Sequence, residues 1–110
     1  MTKKTFHGAF IFRNQGYGIL SSTYLNNYDT KPYPETAILK LNADASDAFL
    51  GTFETVWLEK GDHYKCHLTI TLNDNLTYNL EWIGSTPDIQ SYNGLGILEN
   101  GILVGCYWGI

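Results

Sequence analysis

Six aromatic residues, Phe53, Trp57, Tyr64, Tyr78, Trp82 and Trp108, carry the strongest chemical signal in this chain. Each lies in a segment whose apolar and polar residues alternate, and the period of two puts the six on one inward face. Aromatic walls with a few polar tips are the usual make-up of a pocket for a small apolar or aromatic molecule. With Asn partners the same platforms suit a sugar ring. The competing reading is that the rings fill a small barrel, because eight strands leave an interior just wide enough for side chains.

The other residue types that do chemistry are spaced against it. His63 and His67 would chelate on a helix. On a strand they lie about 13 Å apart at ~3.3 Å per residue, too far for one ion. They also face away from Tyr64, Cys66, Leu68 and Ile70, so no metal site is expected. Cys66 and Cys106 fall on apolar strand faces without a C-x-x-C spacing, and read as two buried, reduced thiols. Glu54 and Glu81 read as outward residues of half-buried strands, so no acid–base pair converges. That disfavours an enzyme, the isomerase or cyclase type included. Gly94-x-Gly96 lacks the third glycine and the following helix of a nucleotide fingerprint. Its glycines instead allow strand bending or let Tyr92 and Tyr107 lie across the backbone, and no cofactor is expected.

The bulk properties exclude further classes. The net charge is −4 and Arg13 is the one arginine, so there is no basic stripe to neutralise phosphates. Neither nucleic acid nor an anionic membrane is an expected partner. The apolar run after Lys3-Lys4 is short and interrupted by His7, unlike a secretory signal, and no stretch has the length of a membrane span. A cytoplasmic location is the expectation. At 110 residues the chain reads as one domain, residues 1–110, able to bury a core without disulfide or metal.

The elements that must position the aromatics are strands. Eight are expected: Thr5–Arg13, Tyr17–Leu25, Glu35–Leu41, Ala48–Leu58, His63–Leu72, Leu76–Ile83, Tyr92–Leu98 and Ile102–Trp108. Asn14-Gln15-Gly16 joins the first two. A polar loop runs from Asn26 to Pro34, and Glu59-Lys60-Gly61-Asp62 turns the fourth strand back. Asn42–Ala48 is the one place for a short helix. A three-residue loop Asn73-Asp74-Asn75 would oppose Leu72 to Leu76, Ile70 to Tyr78, Leu68 to Leu80 and Cys66 to Trp82, apolar against apolar throughout. For the last hairpin two turns compete. Asn100-Gly101 opposes Ile97 to Val104, whereas a bulged turn opposes Leu98 to Ile102. Short connections between consecutive strands imply an antiparallel up-and-down meander, all-β. Eight such strands must close into a barrel, because a flat sheet leaves an apolar face wet.

Phe49-Leu50-Gly51-Thr52-Phe53, then Tyr64-x-Cys66-x-Leu68-x-Ile70 and Tyr78-x-Leu80-x-Trp82, resemble the central meander of small calycin-type barrels, the avidin-like and lipocalin-like folds. Tyr92–Leu98 with Leu103–Trp108 is similar to the closing hairpin of small bacterial proteins of that type. Gly8-x-Phe10 stands where lipocalins have Gly-x-Trp, and the polar set that avidins use for biotin is missing. The resemblance implies a module that binds a small apolar or aromatic ligand, and a monomer or small homo-oligomer is expected. The alternatives are a filled barrel serving structure or protein interaction, and a carbohydrate-binding module.

Overall fold

The computed structural model describes residues 6–59 and 61–110, the side chain of Thr30 excepted. Thr5, where the sequence places the start of the first strand, and Lys60, in the turn after the fourth, lie outside these. The strands are β1 (His7–Gly16), β2 (Ile19–Asn26), β3 (Asp29–Asn42), β4 (Gly51–Glu59), β5 (Asp62–Leu72), β6 (Tyr78–Gly84), β7 (Tyr92–Glu99) and β8 (Ile102–Gly109). Each pairs antiparallel with the next, and β1 also pairs with β8, so the meander closes into a barrel in sequence order. Closure leaves no sheet edge along the shared part of the wall. Among the described residues there is no helix, and hence none long and apolar enough to cross a membrane.

Alternation decides what goes inside. Phe10 and Phe12 from β1, Leu20 from β2, Ala37 from β3, Phe53 from β4, Leu68 and Ile70 from β5, Leu80 and Trp82 from β6 and Leu103 from β8 are all buried. Their sequence neighbours at odd offsets face water or lie half-buried in the wall. Each of the Phe, Leu and Ile side chains contributes about 1.5–3 kcal/mol on leaving water. Glycines make room where rings cross the wall. The Trp82 ring lies on Gly94, the Phe10 ring on Gly96 and Gly105, and the Tyr107 ring on Gly8.

The two ends of the barrel differ. At one end the β3–β4 connection folds inward, with Phe49 and Leu50 buried against the core. Asp47 holds this plug by accepting a hydrogen bond from the Tyr78 hydroxyl at 2.6 Å. Asn42 ends β3 and residues 43–48 turn across the end of the barrel, so Asn42–Ala48 is not a short helix. The opposite end carries the β2–β3 and β4–β5 turns and the loop after β6, and is open.

Four sequence expectations are corrected. β3 begins at Asp29, so Pro32-Tyr33-Pro34 belongs to a strand and the polar loop shrinks to the turn at Asn27-Tyr28. Residues 29–34 pair with β2 while the pairing with β4 starts only at Glu35, and proline is tolerated on such a one-sided extension. The β1–β2 turn is Tyr17-Gly18, both at positive φ, rather than Asn14–Gly16. The β5–β6 hairpin is shifted by two residues: Leu72 opposes Tyr78, Ile70 opposes Leu80 and Leu68 opposes Trp82. Its loop spans residues 73–77, where the Asn73 amide nitrogen donates to the Thr77 carbonyl at 2.8 Å and Leu76 takes φ 67°. A shift of two preserves the inward face, so apolar matching alone could not distinguish the two registers. Finally, Trp108 and Cys106 point outward from β8 on either side of inward Tyr107, and both are exposed. For the last hairpin Asn100 (φ 52°) and Gly101 (φ 78°) form a two-residue turn opposing Ile97 to Val104.

Candidate functional site

The interior divides into two storeys. Below, Phe12, Leu20, Phe53, Leu68, Ile70, Leu80 and Leu103 fill the barrel down to the Phe49–Leu50 plug. Above, the open end holds a cavity of ≈ 320 Å³. Its floor is a bar across the barrel, in which Trp82 on β6 reaches over to β3 and donates its Nε1–H to Glu35 Oε2 at 3.0 Å. Phe10 meets the Trp82 ring edge-on, with centroids 5.8 Å apart, and Phe12 stacks at 6.4 Å.

Strand register assembles the walls. Glu35 lies between Ser22 of β2 and Trp57 of β4, and Trp57 in turn faces Tyr64 of β5. Trp57 and Tyr64 stack with centroids 5.6 Å apart and planes 17° apart. On the other side Tyr92, the cross-strand partner of Trp82, packs edge-on against Tyr107. Tyr24 completes the ring of aromatics, with its hydroxyl donating to Glu59 Oε1 at 2.9 Å. Phe6 packs against Tyr92 and Tyr107 at the lip, and the loop after β6 contributes Asp88, Ile89 and Gln90.

Of the six residues singled out in the sequence, three line this cavity: Trp57, Tyr64 and Trp82. Phe53 and Tyr78 lie in the packed lower storey, and Trp108 is outside the barrel. Sequence reasoning did not assign Tyr24, Tyr92 and Tyr107 to the site. It also passed over Glu35, although one signal was there to read: Glu35, Ala37 and Leu39 share a face of β3, so the apolar face carries a carboxylate.

No match to this chain emerges from comparison with protein families, with curated proteins or with solved structures. The chemistry of the cavity therefore has to speak through its own groups.

Glu35 is the unusual one. It is 6% exposed, and burial pushes its carboxyl up to about 7, against the opposing pull of Trp82, Thr55 and Ser22. The Thr55 hydroxyl donates to the Cys66 carbonyl at 3.4 Å. The Ser22 hydroxyl faces the carboxyl and favours its charged form, yet among the described residues no partner lies at ordinary hydrogen-bond geometry from it. Near neutral pH Glu35 thus exchanges between a donor and an anion. Burial raises the hydroxyls of Tyr24 and Tyr107 far above their usual range and takes Tyr92 up to about 12, so all three remain protonated. By contrast the outward Glu54 is held by Lys40 and Lys65 at 3.7 and 3.5 Å, an exposed surface cluster. Among the described residues no three His, Cys, Asp or Glu side chains converge as metal ligands.

Proposed function

We propose that this chain is a small-molecule-binding module of calycin-like type, taking an apolar or aromatic ligand into the open end of its barrel. The supporting observation is the division of the interior: a plugged, packed lower half beneath a cavity of ≈ 320 Å³ walled by Tyr24, Trp57, Tyr64, Tyr92 and Tyr107. That volume sits at the small end of the roughly 300–1,000 Å³ typical of ligand pockets. A barrel that only needed to fold would fill this space, because every unfilled interior volume forfeits packing. The meander order and closure are the layout that the calycin resemblance implies.

The test is a neutral dye, N-phenylnaphthylamine, added to the folded protein. Emission should rise and saturate at one dye per chain, with quenching of Trp57 and Trp82 fluorescence read in a Trp108→Phe background. Trp57→Ala should weaken the dye severalfold. A folded protein that leaves the dye dark overturns the reading.

A further inference from the structure

We infer that the ligand of this cavity is a small organic cation bearing N–H groups, a protonated aryl-alkyl amine whose ammonium docks on Glu35 while its body stacks between the aromatic walls. This rests on the pocket reading above and specifies its chemistry.

The charges argue for it first. The described lining carries three carboxylates, Glu35 at the floor and Glu59 and Asp88 towards the mouth, and no Lys, Arg or His. An anion entering would meet like charge at every depth, at close quarters and with little water to screen it. A cation would find a counter-ion at the floor and an attractive field at the mouth. The walls argue for it second. Tyr24, Tyr92, Tyr107 and the stacked Trp57–Tyr64 pair surround the axis of approach, and an aromatic face attracts a cation most strongly where water is excluded. The hydrogen bonding of Glu35 argues for it third. Trp82 donates to one carboxylate oxygen, Oε2. An ammonium supplies further N–H donors to the carboxylate, which a quaternary ammonium cannot. The absence of a converging ligand cluster among the described residues speaks against a metal ion in the same place.

A linkage follows. The groups facing Glu35 are Trp82 from β6, Thr55 from β4, Ser22 and Tyr24 from β2, Cys66 from β5 and Tyr107 from β8. Glu59 is bonded to Tyr24 beside them. Tyr24, Tyr107 and Cys66 are all raised and keep their protons through the neutral range. Docking an ammonium requires ionised Glu35, so below about 7 the amine must first displace a proton. Amine affinity therefore climbs up to about tenfold per pH unit towards neutrality and levels above it.

The experiment compares three molecules of one shape by calorimetry on the intact chain: phenethylamine, phenethyl alcohol and hydrocinnamate. The amine should bind at least about tenfold tighter than the alcohol, with the acid weakest. In Glu35→Gln the amine should lose about tenfold or more while the alcohol changes little. Alcohol or acid binding as tightly as the amine overturns the inference, and so does equal amine affinity for wild type and Glu35→Gln. Benzyltrimethylammonium binding more tightly than phenethylamine overturns the N–H requirement. If the neutral dye binds and the amine does not, the ligand class is wrong and the pocket stands. If neither binds, both fall. The wild-type series holds whether or not the variant folds.

Discussion

Glu35 makes a quantitative prediction about the fold that needs no ligand. In the unfolded chain its carboxyl ionises at its ordinary value of 4.5, but in the barrel it holds its proton until about 7. Between those values the native state binds more protons than the unfolded state, so stability falls as pH rises through this window and is flat above it. The window spans about 2.5 pH units at ~1.4 kcal/mol each, so ionising Glu35 costs the fold about 3 kcal/mol by pH 8. Glu35→Gln removes the titration and keeps an oxygen for the Trp82 Nε1–H, while its amide can donate to the Ser22 hydroxyl, which has no partner among the described residues. The variant and the wild type should therefore match within about 1 kcal/mol near pH 4.5, and the variant should be more stable by about 3 kcal/mol at pH 8. Urea denaturation followed by circular dichroism at half-unit steps of pH measures both curves. Other titrating groups cancel in the difference. A difference that does not change with pH would refute the assignment of a buried, proton-holding carboxyl.

The two storeys should respond differently to truncation. Phe49→Ala in the plug should cost about 3–5 kcal/mol in denaturant unfolding, as a buried aromatic in a packed core does, whereas Trp57→Ala in the cavity wall should cost about 1 kcal/mol, chiefly its stacking with Tyr64. The thiols should separate in the same spirit. Under native conditions a disulfide reagent should label exposed Cys106 quickly. Cys66, buried and pushed up to about 12 by burial and then by the charge of Glu35, should react only on unfolding.

The sequence showed the type of the fold because period-two alternation is a local property. Eight strands, their order, closure and the inward face of β5 and β6 all follow from it. What it concealed depends on which strand lies across from which. A slip of two residues in the β5–β6 hairpin leaves every inward residue inward, so only the loop geometry around Leu76 sets the register. Pro32 and Pro34 read as loop because a proline in a central strand would break a ladder, and only the length of β3 beyond its pairing with β4 makes them admissible. The site was half legible for the same reason. Trp57, Tyr64 and Trp82 were identified by their faces. Their position above or below the floor is a matter of height along the barrel, which alternation does not encode, so Phe53 and Tyr78 looked equivalent to them. Trp108 was assigned to the wrong side because two registers of its hairpin were open. Glu35 was missed as one polar residue on a short apolar face, and the Trp82 bond that makes it a floor spans 47 residues of sequence.

β1 begins and β8 ends beside the mouth. Gly109 donates its amide to the Phe6 carbonyl at 3.3 Å and Ile110 donates to the Ser91 carbonyl at 3.1 Å, so Ile110 is fastened to the loop that overhangs the cavity. A tag or tether joined at Ile110 would grow from the doorway and crowd whatever passes through it. The Asn100-Gly101 and Tyr17-Gly18 turns stand at the opposite pole, beside the plug. Attached to a surface through a cysteine at Asn100, with Cys106 replaced by serine, the molecule would stand with its opening towards solution. Attached through Ile110 it would lie with its opening against the support, and the same chain would give a responsive layer in the first case and a mute one in the second.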